Sequence, residues 1–146
     1  EKRYYMEKST DELMKILNSK KSYNEFFEEE VGELCFSSVA DYLEVLLNEK
    51  HLKKSDVIRK SNLDKNYAYQ IFNGNKLNPS RNKMLMLAFG MGLSLNETRK
   101  LLKVCCLPDL YVRSPRDSII IFGLNKKMSL IDVNESLSDF SFEILE

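Results

Sequence analysis

Four residues near the middle of the chain, Lys65, Asn66, Tyr69 and Gln70, have the types and spacing to read hydrogen-bonding edges. At 100° per residue they share one face of a short helix. Asn and Gln amides can make paired hydrogen bonds to adenine, and Lys can donate to guanine. Tyr67 and Tyr69 are bulky for a groove-facing helix. They can contact phosphates or thymine methyls, and they can equally form a protein-binding patch. The charge around them is segregated: residues 51–83 carry a net +6, against −5 for 1–50, +2 for 84–115 and −3 for 116–146. The middle third is therefore a candidate anion-binding face. Because 22 basic residues balance 22 acidic ones, any such face works through its local field and not through bulk charge.

Other chemistries have less to stand on. His51, the sole histidine, sits at a helix end, where a cation is favourable. Vicinal Cys105 and Cys106 cannot easily share a tetrahedral metal, even with Cys35, and no histidine accompanies them; they read as small buried hydrophobes. The odd cysteine count gives no disulfide framework and suits a reducing cytoplasm. There is no phosphate-cradling Gly loop and no visible nucleophile–base pair. The expectation is a cytoplasmic non-enzyme without metal or cofactor. No apolar run approaches ~18 residues, so no membrane span is expected, and no N-terminal stretch reads as a signal peptide.

The elements that must position these residues are helices; 5 Gly and 3 Pro suit few turns. Ser9/Glu12, Ser22/Glu25 and Ser94/Glu97 are spaced as capping boxes. Residues 1–5 read as a lead outside the fold. Glu28-Glu29-Glu30 reads as a solvated helix face. Ser38 caps a helix to about Lys50, with Val39, Tyr42, Leu43, Leu46 and Leu47 at helical spacing. Two short helices follow, Lys54–Ser61 and Asp64–Phe72, joined at Asn62-Leu63-Asp64. Asn tolerates a left-handed turn, Asp64 is an N-cap, and Asn73-Gly74 is a stop. Pro79-Ser80 opens a helix with Met84, Leu87, Ala88 and Met91 on one side. Ser114-Pro115-Arg116-Asp117 opens another. Its Ile119-Ile120-Ile121-Phe122 run also suits a strand, though the start signal and the length favour a helix. Ser129 caps a last helix, and Phe140–Leu145 alternates as an extended arm or a short turn.

A short helix, a three-to-four-residue turn and a second short helix form a DNA-reading device. The first helix crosses the backbone and the second enters the major groove. Val57, Ile58, Leu63, Ala68 and Ile71 would lock the pair. Residues 52–93, from Leu-Lys-Lys-Ser-Asp-Val-Ile through Phe-Asn-Gly-Asn-Lys-Leu-Asn-Pro-Ser to Met-Gly-Leu, resemble the lambda-repressor-like helix-turn-helix family, also called the XRE or Cro family. The spacing from Asn62 to Gly74 to Pro79 matches its register without gaps.

That resemblance implies an all-α fold: a five-helix domain over 38–103, with helical extensions at 1–37 and 104–146. It also implies a sequence-specific, double-stranded DNA-binding transcriptional regulator of bacterial or phage type. Lys54 would contact phosphate, Lys65 and Asn66 would read base edges, and Tyr67, Tyr69 and Gln70 would complete the recognition face. Asn75, Lys76, Arg81 and Lys83 would hold the backbone. Three positions depart from the pattern: Lys53 replaces a capping Ser or Thr, Asn62 a turn Gly, and Phe72 an acidic residue. The alternative is a helical protein-interaction adaptor that retains the fold. Other expected partners are a second copy of the chain, paired through Ile119–Leu124, and a protein reached through the extensions. Intrachain cover of that apolar helix by the N-terminal helices is the competing arrangement.

Overall fold

The computed structural model describes residues 8–36, 38–76 and 78–146. The expected lead at 1–5 and Leu77 of the matched stretch lie outside the described residues. Within them the regular structure is helical and no strand occurs. In order the helices are α1 Thr10–Ser19, α2 Tyr23–Glu30, a 3₁₀ turn Val31–Glu33, α3 Val39–Glu49, α4 Lys54–Ser61, α5 Lys65–Phe72, α6 Arg81–Met91, α7 Leu95–Val104, α8 Pro115–Asn125 and α9 Leu130–Asp139.

Local chemistry explains where they begin. Ser9, Ser22, Ser38, Asp64, Ser80, Ser94, Ser114 and Ser129 each accept the N–H of the residue three positions on. Each such cap contributes about 1 kcal/mol. Lys53, before α4, makes no side-chain cap, as expected. Of the three spaced capping boxes, Ser94–Glu97 is the one whose reciprocal bond forms among the described residues: Glu97 accepts the Ser94 N–H at 2.8 Å. Glu97 is also buried and ion-paired with Lys50 Nζ at 3.1 Å, whereas Glu12 and Glu25 are exposed.

Packing is centred on α6, whose residues Met84 to Met91 are all buried. The expected one-sided stripe is therefore an incomplete description: α4, α7 and α9 cover α6 from different directions. Contact with α4 is close because residue 90 is glycine. A Cβ there would lie 1.9 Å from Ser61 Oγ and 2.8 Å from the Val57 carbonyl oxygen. Fully buried Tyr42 of α3 ties across to α7 by donating to the Glu97 carbonyl at 2.9 Å. Burial, then the Glu97 charge, pushes its phenol up from the ordinary value.

Three further expectations are corrected. Glu30 is not solvated with Glu28 and Glu29; it follows Phe26 and Phe27 on the inward face of α2 and takes Lys8 Nζ at 2.8 Å. The cysteines are not all buried: Cys35 and Cys106 are exposed, and Cys105 is half-buried. The N-terminal helices do not cover the apolar α8, since α1 packs on α2, and α2 with the 3₁₀ turn packs on α7. α8 rests on α7 and α9, and Phe122 stays 57% exposed. The tail turns at 140–141 and then carries no regular structure, with buried Leu145 held at both backbone groups by the Asn134 amide (2.7 and 3.0 Å).

Candidate nucleic-acid interface

The turn between α4 and α5 depends on one residue's backbone. Asn62 sits at φ 55°, ψ 28°, the left-handed region, and its N–H returns to the Arg59 carbonyl at 3.2 Å. Leu63 then turns into the core, and Asp64 caps α5 by accepting the Tyr67 N–H at 3.1 Å. Val57, Ile58 and Ser61 of α4 and Ala68, Ile71 and Phe72 of α5 are buried. Phe72, the apolar departure from the family pattern, is thus an anchor. With that face committed to the core, Lys65, Asn66 and Gln70 are left exposed together. Tyr69 and Tyr67 are half-buried at the margins.

Cations border this face. Lys76 and Lys83 hold their ammonium groups 5.1 and 5.9 Å from the Tyr67 ring centroid, and Lys54 lies 5.2 Å from the Phe72 ring. Such distances suit cation–π attraction, which positions the charges without neutralising them. The loop is folded back too: Asn75 and Lys76 both donate backbone N–H groups to the Gln70 carbonyl, at 2.9 and 3.1 Å. The two carboxylates of residues 51–83 are both engaged, Asp64 as cap and Asp56 with Arg59 at 3.3 Å.

Arg81 is a correction. Expected to hold a nucleic-acid backbone, it turns inward. Its guanidinium forms two bonds to the Asp117 carboxylate and donates to the Pro108 and Asp109 carbonyls, both at 3.0 Å. A guanidinium with this many internal acceptors is a structural clamp. A residue passed over in the sequence, Arg59, lines a groove of about 360 Å³ between α4 and α5 with Lys65 and Tyr69. Its place in the last turn of α4, next to Lys60, was the available signal.

Among the described residues no group of three or more His, Cys, Asp or Glu could hold a metal ion, and no helix is long and apolar enough to cross a membrane. No protein-family model, curated protein or solved structure matches the chain.

Proposed function

We propose that the chain binds double-stranded DNA through α5 in the major groove, with α4 lying across the backbone, as a sequence-specific regulator of the lambda-repressor-like kind. The observation that carries this reading is the division of α5. One face is locked into the core by Ala68, Ile71 and Phe72, and the other presents Lys65, Asn66 and Gln70 to solvent. A helix so anchored offers amide and ammonium groups in a fixed geometry, and a major groove about 12 Å wide admits a helix of this diameter. Lys54, Lys76 and Lys83, held near the Phe72 and Tyr67 rings, would supply the phosphate contacts. Asn75 is exposed beside them. Tyr67 and Tyr69 are half-buried and two lysine ammonium groups lie near the Tyr67 ring, which limits the aromatic surface open to a protein partner.

Affinity for random duplex DNA across a salt series tests this. Binding should weaken steeply with salt as counterions are released, and Ala at Lys54, Lys76 or Lys83 should each lower the slope by about one contact. An absent or salt-independent interaction would leave the protein-binding adaptor as the better description.

A further inference from the structure

A second concavity lies where α4, α6, α8 and α9 meet, with a volume of about 620 Å³. That size falls within the range of small-molecule sites, which are apolar with a few convergent polar groups. Phe89, Leu93, Leu124 and Leu130 contribute apolar wall, and Ile131, 78% exposed, stands at the lip.

The rim carries one sign of charge. Arg59, Lys60 and Lys127 line the groove, and no carboxylate does. Three helix ends come together here at left-handed residues, Asn62, Gly92 and Lys127. Their carbonyl dipoles account for part of the positive charge, and Lys127 Nζ reaches the Gly92 carbonyl at 3.4 Å. Arg59 is balanced by Asp56 at 3.3 Å, and the two full charges of Lys60 and Lys127 still exceed the roughly half-charge at each of the three helix ends. The opening turn of α9, Ser129 to Ile131, forms another wall, and the first N–H groups of a helix lack intrahelical acceptors. The surplus is positive, over an apolar floor.

We propose that this groove binds a small amphipathic carboxylate, its chain along Phe89, Leu93 and Ile131 and its head among Arg59, Lys60 and Lys127. A polyanion such as a nucleotide would set its further charges against Phe89, Leu93, Leu124 and Leu130. The occupant would bridge α4, which leads into the turn before α5, and the α8–α9 extension. Binding itself needs no DNA, so the proposal stands apart from the DNA reading.

Titration of the ¹⁵N-labelled full chain with octanoate, 1-octanol and octylamine tests it without any variant. Octanoate should saturate with a Kd between about 10 µM and 1 mM, moving the amides of Gly92, Gly123 and Ile131. Octylamine and 1-octanol should bind at least about tenfold more weakly. Lys60→Glu and Lys127→Glu change exposed side chains, so the fold should persist by circular dichroism, and each should weaken octanoate about tenfold. Lack of saturation, shifts mapping elsewhere, or octylamine binding as tightly as octanoate would overturn the proposal.

Discussion

Arg81 at the start of α6 and Asp117 in the first turn of α8 form a two-pronged ion pair across 36 residues of sequence, with Nη2–Oδ2 at 2.9 Å and Nη1–Oδ1 at 3.2 Å. Asp117 is buried and also accepts the Tyr111 backbone N–H at 3.0 Å. The pair joins the C-terminal extension to the segment that carries α4 and α5. Arg116 adds to the junction, donating to Asn82 at 3.2 Å and to the Glu143 carbonyl at 2.9 Å.

Arg81→Ala leaves Asp117 buried without its cation. The expected loss is about 2–4 kcal/mol, at the lower side of a broken buried pair because the arginine keeps some solvent contact. Arg81→Lys should recover only part of it, since an ammonium cannot reproduce the planar fork. Urea unfolding measures both. At temperatures where the variant stays folded, its DNA salt slope should equal the wild type's. A fall by one contact would return Arg81 to the interface.

Asn66→Ala and Gln70→Ala remove amides that are exposed on α5. Each should cost about 1–3 kcal/mol on a preferred duplex and relax sequence preference there, with little change on random DNA. Selection from a random duplex pool followed by competition binding measures this. Unaltered preference in both variants would mean that α5 is not the reading helix.

The three cysteines should alkylate in a fixed order. Burial, followed by the neighbouring Cys106, pushes the Cys105 thiol up to about 11. The thiolate is the nucleophile, so at pH 8 Cys105 stays almost wholly protonated and its labelling rate should climb only as pH approaches that value. Cys35 and Cys106 are exposed and should react with iodoacetamide first. Peptide mass spectrometry over time gives the order, and equal rates at all three would contradict the burial of Cys105.

Pairing of two copies is expected through the extension, where Phe122 and Phe140 are 57% and 68% exposed. Deleting residues 140–146 is a poor probe, because it would also empty the core position of Leu145. Phe122→Glu alters a side chain that is 57% exposed and whose ring has Lys126 Nζ at 5.6 Å. Sedimentation at micromolar concentration should show a dimer for the wild type and a monomer for the variant. A monomeric wild type would exclude strong pairing, and a dimeric variant would move the contact off this face of α8.

Helix starts were legible in the sequence because capping is local. A serine or aspartate and the N–H three residues on are neighbours whatever the rest of the chain does, which is why Ser38, Asp64, Ser114 and Ser129 could be named in advance. The left-handed turn at Asn62 and the outward set of Lys65, Asn66 and Gln70 follow from the same short-range geometry. Partners distant in sequence were not legible. A lone arginine in a basic stretch looks available for phosphate, and only the arrival of Asp117 beside it commits it inward. Glu30 looks like one of three solvated carboxylates until Lys8 closes on it. Gly90 looks like an ordinary helix residue until Ser61 and Val57 of α4 approach too closely for any Cβ. The groove between α4, α6, α8 and α9 exists only where four helix ends converge. Sequence spacing encodes contacts made within a turn or two of chain; contacts across tens of residues depend on how the helices pack, and packing alone decided them here.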